Sequence, residues 1–95
     1  MIGVVARVKI QPGKHAEAEA VLKELVAAVK ANEPDVPLYQ LFKAKDGSGD
    51  FVMLEMYPSQ GVLDAHQKTA HFAAIGAKLG PLLAGPPSLE FLDGA

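Results

Sequence analysis

Apolar and polar residues alternate along the start of the chain. This two-residue period predicts a β-strand from Ile2 to Ile10, because successive side chains of a strand point to opposite faces. One face is entirely apolar and the other is mixed, which indicates a strand that its own domain buries on one side. The apolar face carries Ile2, Val4, Ala6, Val8 and Ile10, and the mixed face carries Val5, Arg7 and Lys9.

The apolar period changes to three or four residues after the turn sequence Gln11-Pro12-Gly13, which predicts an amphipathic helix. Pro34 ends this helix, since proline lacks the amide hydrogen that a helix interior needs. Charged residues occupy the other side, so the helix is expected to pack one face on a sheet. The apolar face carries Ala18, Val21, Leu22, Leu25, Val26 and Val29.

Two further alternating segments, Leu38–Lys45 and Phe51–Tyr57, flank the sequence Asp46-Gly47-Ser48-Gly49-Asp50. A short glycine-containing loop between two such segments predicts a hairpin, so these strands should pair antiparallel. The second strand contains one charged residue, Glu55, near its middle. A buried carboxylate is costly without a partner, so Glu55 must find a cation, a hydrogen-bond donor or water.

A helical region follows and carries two of the three histidines. Ser59 can cap a first helix, in which His66 shares a face with apolar neighbours. Thr69 can cap a second segment, in which His71 lies in the first turn beside the apolar stripe. The two histidines therefore need not share one continuous helix.

The helical region extends to about Leu83, and a short last strand runs from Leu89 to Leu92. The resulting βαββαβ order predicts an α+β fold of the ferredoxin-like, split βαβ type, with a four-stranded antiparallel sheet and both helical regions on one side. The other side of the sheet would be bare, and a second copy of the chain could cover it in a homodimer. We expect that bare side to carry Phe51, Met53, Glu55 and Tyr57. Arg7, on the neighbouring strand, could then form an ion pair with Glu55.

Composition limits the classes of function. We assign residues 1–95 to one domain, and 49% of the residues are hydrophobic, which is ample for a small core. The net charge of −2 and the absence of a basic cluster argue against binding of nucleic acid. The chain has no cysteine, which excludes disulfides and thiolate chemistry. It has no signal-peptide pattern and no apolar run approaching about 18 residues, so we expect a cytoplasmic protein with no membrane partner.

Five segments of the chain are informative as a set. They are Gln11–Lys14, Asn32–Pro34, Phe51–Tyr57, Ala65–Phe72 and Leu82–Pro86. Their order and spacing resemble the antibiotic biosynthesis monooxygenase (ABM) domain family over nearly the whole chain. The resemblance implies a dimeric α+β barrel, in which two ferredoxin-like sheets close against each other with the helices outside.

The resemblance also implies chemistry of the family's kind. Members include cofactor-free monooxygenases of quinols and polycyclic phenols, haem-degrading enzymes, and isomerases of signalling-molecule breakdown. The pattern His66-Gln67-Lys68-Thr69-Ala70-His71 is most similar to the small quinol-monooxygenase-like and autoinducer-processing members.

Departures from the family pattern argue against a cofactor. In the haem-degrading branch an Asn, a Trp and a His form the haem site, and the aligned positions here are Ala6, His66 and Gly76. The polyketide-oxidising branch also depends on a Trp, and this chain has none. His66 and His71 are five residues apart, whereas helical zinc ligands are four apart, so we expect no metal site. We therefore expect no cofactor.

The chemistry can also be argued from the residues. A dihydroxyaromatic molecule reacts with oxygen once a base has converted it to a phenolate, provided that an apolar cavity excludes bulk water. Histidine suits this task near neutral pH. We rank His66 above His71 as the base, with Glu55 to orient it or to hold a second hydroxyl. The candidates for substrate binding are Tyr57, Tyr39, Arg7 and Phe72.

The leading prediction is thus a cofactor-independent monooxygenase that oxidises a small quinol or phenolic substrate with molecular oxygen. The same groups could instead move a proton next to a carbonyl, which is isomerase chemistry. A non-catalytic dimer that binds a small ligand is a third interpretation. Each candidate also has a structural alternative: His66 as a hydrogen-bonded core residue, and Glu55 as the partner of Arg7.

Overall fold

The computed structural model describes residues 1–95 and contains the predicted elements in the predicted order. The first and second strands end two residues earlier than predicted. Ile10 lies beyond the first of them and forms an isolated bridge with Leu83. The elements are β1 Ile2–Val8, α1 His15–Asn32, β2 Leu38–Lys43, β3 Phe51–Tyr57, α2 Gln60–Gln67, α3 Ala70–Leu79 and β4 Ser88–Asp93, with a 3₁₀ turn at Gly80–Leu82.

The four strands form one antiparallel sheet in the order β2-β3-β1-β4. This is the ferredoxin-like arrangement, and the predicted fold class is confirmed. The β2–β3 loop turns tightly because Gly47 and Gly49 both adopt φ near +80°, a conformation that side chains with a Cβ rarely tolerate. Pairing of the two hairpin strands follows from that loop.

Side-chain caps fix the starts of the second and third helices. The Ser59 hydroxyl accepts a hydrogen bond from the backbone N–H of Val62, and the Thr69 hydroxyl accepts one from that of Phe72, each at 3.3 Å. A cap of this kind stabilises a helix start by about 1 kcal/mol. Both predicted caps are confirmed, and His66 and His71 consequently lie on different helices, α2 and α3.

Helix α1 covers one face of the sheet, which we call the inner face. Leu22 and Leu25 are buried against this face together with Phe51 and Met53 of β3. Each fully buried leucine stabilises the fold by about 2 kcal/mol. The fully buried Val29 lies near the end of α1, and the chain leaves the helix at Glu33.

The predicted orientation of β3 is wrong. In the register of β1 and β3, Glu55 pairs with Val4 and Met53 with Ala6, so they share the apolar face of β1 that packs under the helices. The set Phe51, Met53, Glu55 and Tyr57 is buried on the inner face. The pattern was ambiguous because both faces of β3 are apolar, and only the strand pairing decides between them.

The ion pair of Glu55 with Arg7, which was the structural alternative for Glu55, does not form, because the two side chains lie on opposite faces. Arg7 pairs with Val52 in the strand register. Its guanidinium donates to Asp50 and to Asp46, both at 2.7 Å, and so ties the β2–β3 loop to the end of β1. Hydrogen bonds from Ser48, and to a smaller extent the one from Arg7, lower the pKa of Asp46.

The second face of the sheet, which we call the outer face, has no helix on it. Phe42 and Leu92 are each 47% exposed there. The apolar residues of the outer face are Leu38 and Phe42 of β2, Val52, Leu54 and Met56 of β3, Val5 of β1 and Leu92 of β4.

No helix in the structure combines the length and the apolarity that crossing a membrane would require.

Candidate active site

His66 lies between α2 and the inner face of the sheet and is 3% exposed. Three aromatic rings surround its imidazole: the ring centroids of Phe72, Tyr39 and Tyr57 lie 4.8, 5.2 and 5.4 Å from it. Helix α2 places His66 one turn after Leu63, so both side chains point toward the sheet. The prediction of an inward-facing His66 is therefore confirmed.

Glu33 holds both site histidines. It is the residue at which α1 ends, and its backbone N–H donates to the carbonyl of Val29. Its Oε1 lies 2.8 Å from Nδ1 of His66, and its Oε2 lies 2.6 Å from Nε2 of His71. One carboxylate thus joins two helices to the end of a third.

The contact with Glu33 sets the chemistry of His66. An ionised carboxylate can only accept hydrogen bonds, so the ring nitrogen that faces it carries the hydrogen. In neutral His66 the lone pair is then on Nε2. This nitrogen makes no hydrogen bond within the protein, and His66 lines the central cavity. Nε2 is therefore a basic atom that a molecule in the cavity can reach.

Glu55 lines the same cavity from strand β3 and is held by Tyr57, whose hydroxyl donates to Oε1 at 2.5 Å. Burial raises the pKa of Glu55 to about 7, against a smaller lowering by the Tyr57 hydrogen bond, and the negative charge of Glu33 raises it further. Near neutral pH the Glu55 carboxyl therefore exists in both protonation states. Its protonated form can donate a hydrogen bond, and its ionised form can accept a proton.

The two tyrosines keep their hydroxyl hydrogens. Burial raises the pKa of Tyr39, and the charges of Glu55 and Glu33 add to the effect. Burial also raises the pKa of Tyr57, followed by its hydrogen bond to Glu55. Tyr39 and Tyr57 are thus hydrogen-bond donors in this site and not bases.

The cavity between the helices and the inner face has a volume of about 190 Å³. Of the 18 residues that line it, 14 are hydrophobic, so a bound molecule would be largely removed from water. Its mouth lies beside the edge strand β4, where Leu89 and Phe91 line the cavity and are 52% and 55% exposed. The polar side chains that reach it are Tyr39, Glu55, His66 and Gln67.

The structure brings most of the predicted site residues together. His66, Glu55, Tyr39 and Phe72 line the cavity. Tyr57 is completely buried behind Glu55, and His71 connects to His66 through Glu33. Arg7 does not reach the cavity, because its side chain lies on the outer side with Asp46 and Asp50.

Sequence reasoning missed the role of Glu33. The residue belongs to the segment Asn32–Pro34, whose pattern contributed to the family resemblance, but no periodicity connects it to His66. The available signal was a carboxylate placed next to the proline that ends a helix. No cluster of three or more His, Asp or Glu side chains has the geometry of a metal site.

Comparisons with known proteins agree with this architecture. The profile of the family described as "Antibiotic biosynthesis monooxygenase" matches residues 1–78. The chain is 30% identical over 91 residues to the Mycobacterium tuberculosis protein "Putative monooxygenase Rv0793", which covers 96% of this chain and 88% of that protein.

Two solved structures extend the likeness to the fold. A Caulobacter crescentus CB15 protein, described as a "putative antibiotic biosynthesis monooxygenase", is 48% identical with a TM-score of 0.94, over 99% of this chain and 89% of that one. PA3566 from Pseudomonas aeruginosa is 26% identical with a TM-score of 0.87, over 99% of this chain and 93% of that one. The similarity thus includes all the elements that build the cavity.

Proposed function

This chain belongs to the antibiotic biosynthesis monooxygenase family, and from that premise we propose that it oxidises a small quinol or phenol with molecular oxygen and needs no cofactor. The observation that carries the proposal is the position of His66. Its Nε2 is free of protein partners, and its Nδ1 is held by Glu33 at 2.8 Å at the wall of an apolar cavity.

In the proposed reaction His66 removes the proton from a substrate hydroxyl. The O–H bond of the substrate breaks, an N–H bond forms at Nε2, and Glu33 stabilises the resulting imidazolium. The electron-rich phenolate can then pass an electron to molecular oxygen, which is the oxidant. The apolar lining keeps bulk water away from the reactive species.

Glu55 and Tyr39 are suited to hold the other end of the substrate. The pKa of Glu55 is raised to about 7 by burial, so its protonated form can donate a hydrogen bond to a second substrate oxygen. Tyr39 remains a donor because burial raises its pKa. Together they would fix the ring against His66 in one orientation.

The size of the cavity favours a substrate with one aromatic ring. A protein cavity of about 150 Å³ accommodates benzene. The cavity of this protein, at about 190 Å³, leaves room for a ring with small substituents. A polycyclic phenol would have to extend past Leu89 and Phe91 into solvent, which would leave its reactive ring poorly enclosed.

Oxygen consumption tests this proposal. The purified chain, stripped of metals by a chelator and given no flavin or haem, should consume oxygen with hydroquinone or a methylated hydroquinone. We expect the rate to exceed that of the substrate alone and to be lower with a three-ring phenol. An oxygen electrode that records no enzyme-dependent uptake with any single-ring quinol would contradict the proposal.

Isomerisation is a second candidate because a second acid–base group, Glu55, lines the same cavity as His66. Proton transfer next to a carbonyl requires one group that takes a proton from carbon and another that supplies a proton to oxygen. His66 and Glu55 could serve in these roles without oxygen. Deuterium incorporation from heavy water into a small hydroxyketone, under anaerobic conditions, would favour this alternative.

We further propose that the chain works as a homodimer. The outer face is apolar along the whole of the central strand β3 and has no helix on it, although apolar surface of this extent is normally covered. A second copy placed face to face would bury on the order of 2,000 Å² in total, as obligate dimers do. The helices and the mouth of the cavity would then remain on the outside.

A further inference from the structure

Glu33 contacts two histidines that differ in their access to solvent. The His66 side chain is 2% exposed and lines the cavity, whereas the His71 side chain is 20% exposed. Glu33 itself is 10% exposed and forms ion pairs with no lysine or arginine. Its single negative charge is therefore shared between two imidazoles and nothing else.

We propose that the two histidines share one positive charge, so that each proton taken by His66 from the cavity is matched by a proton that His71 releases to solvent. The proposal rests on the proposed role of His66 as the base. His71 touches no substrate in this scheme. It acts through Glu33 and is a positioning residue.

The arrangement of charges supports a single shared proton. One carboxylate neutralises one imidazolium, and a second imidazolium in the same buried cluster would be an uncompensated charge. Burial disfavours the charged form more strongly at the 2% exposed His66 than at the 20% exposed His71. The proposed scheme therefore places the resting charge on the more exposed His71, which leaves Nε2 of His66 free to act.

The proton steps balance. At rest His71 is protonated on both nitrogens, Glu33 is ionised, and His66 carries hydrogen on Nδ1 only. The substrate O–H breaks and its proton binds Nε2 of His66, which becomes an imidazolium. His71 then loses the Nδ1 proton to water and keeps the Nε2–H that donates to Glu33. The net charge of the cluster is the same before and after.

Other ionisable groups near the cluster do not replace Glu33. Glu55 is bonded to Tyr57, while the rings of Tyr39 and Tyr57 lie 5.2 and 5.4 Å from the His66 ring in tilted orientations and remain neutral. Burial raises the pKa of all three groups. Glu33 is the only carboxylate within hydrogen-bond distance of either site histidine.

Two variants isolate the coupling. His71→Gln keeps an amide N–H at the position of Nε2, so it can still donate to Glu33, but it cannot hold a proton. His15→Gln is the matched control, because His15 is the one remaining histidine and lies at the start of α1, away from the site. NMR titration of the imidazole signals reports the charge of each histidine without any substrate.

In the wild type we expect the two histidine signals to titrate as a coupled pair, because both imidazoles contact the same carboxylate. In His71→Gln, the Glu33 charge acts on His66 alone, so the His66 signal should titrate at a higher pH than in the wild type. His15→Gln should leave both signals unchanged. If the His66 titration is the same in His71→Gln and wild type, the shared charge is disproved.

Proton release provides the second readout. A nitrophenol, whose phenolate absorbs visible light, is added in its neutral form to unbuffered protein with a pH indicator, at a pH where the free phenol is not ionised and NMR shows His71 charged and His66 neutral. The wild type and His15→Gln should release about one proton to solvent per phenolate bound. His71→Gln should release almost none, because the proton stays on His66. Equal release from His71→Gln would overturn the proposal.

The two readouts separate this inference from the proposed function. Coupled titration and proton release without oxygen consumption would support the shared charge while contradicting the monooxygenase. Oxygen consumption with independent titration of the two histidines would do the reverse. The NMR result requires no ligand and therefore decides the question even if the nitrophenol does not bind.

Discussion

The two faces of β3 have similar apolarity but very different surroundings. The inner face is buried under the helices and carries Glu55 and Tyr57 among its apolar residues. The outer face, with Leu54 at its centre, has no polar residue on this strand and no covering element. Apolarity alone therefore does not distinguish a core from an interface. The polar pair, which burial would penalise without partners, marks the face that forms a site.

The largest expected effect comes from a charge on the outer face. Leu54 pairs with Val5 on one side and with Gln40 on the other, which places it at the centre of this face. In the proposed dimer, Leu54→Asp would bury one unpaired carboxylate from each subunit, at about 3 kcal/mol or more each. The dimer dissociation constant should rise by at least about 10⁴-fold.

Sedimentation equilibrium measures that change. Ala27→Asp, on the exposed side of α1, adds the same charge away from the sheet and should leave the assembly unchanged. Circular dichroism should report the same helix content in both variants. The outer face is not a dimer interface if the wild-type protein sediments as a monomer at micromolar concentration. The same conclusion follows if the Leu54→Asp variant stays dimeric.

A change on the inner side should affect catalysis and leave assembly intact. His66→Asn keeps an amide donor at the position of Nδ1, so the bond to Glu33 can persist, but it removes the basic Nε2. Loss of a positioned base typically lowers the rate by about 10² to 10⁴. We expect a fall in kcat within this range when oxygen uptake is measured with the best single-ring quinol.

His15→Asn controls for the loss of a histidine as such and should retain full activity, because His15 lies at the start of α1, away from the cavity. Sedimentation should show the same assembly for both variants and the wild type. Full activity in His66→Asn would mean that another group is the base and that His66 has a structural role.

Local sequence signals predicted the fold because each of them acts over a few residues. The glycine loop specified the hairpin, and Ser59 and Thr69 specified where two helices begin. The facing of β3 depends instead on its register with β1, which is a contact between distant segments. Since both faces of β3 are apolar, the strand offered no internal signal, and the prediction chose the wrong side.

The site was predictable in its parts but not in its connections. His66 and Glu55 were recognisable as polar groups in apolar surroundings. Glu33 was not, because its link to His66 spans 33 residues and arises only when the end of α1 meets α2 and α3. The partner of Glu55 was left open for the same reason: Arg7 was one alternative, whereas the hydrogen bond comes from Tyr57, two positions away on the same strand.

The smallest expected effect concerns the buried carboxyl of Glu55 on the inner face. Burial raises the pKa of Glu55 from 4.5 to about 7. Between these pH values the folded protein binds more protons than the unfolded chain, so the free energy of unfolding should fall as pH rises through this window. The contribution is fully present below pH 4.5 and is lost above about pH 7. The shift corresponds to about 3 kcal/mol.

Urea unfolding of the wild type and Glu55→Gln, at one protomer concentration and at several pH values from 4.5 to 8, measures this contribution. The substituted amide would not ionise, and its carbonyl could still accept the hydrogen bond from Tyr57, so the variant should lose about 3 kcal/mol less than the wild type across the series. Tyr57→Phe removes the hydrogen bond that lowers the pKa of Glu55, and should therefore extend the decline in stability to higher pH. Parallel curves for the wild type and Glu55→Gln would mean that the pKa of the Glu55 carboxyl is the same in the folded and unfolded states, and the inner face would then differ from the outer face in geometry but not in its proton chemistry.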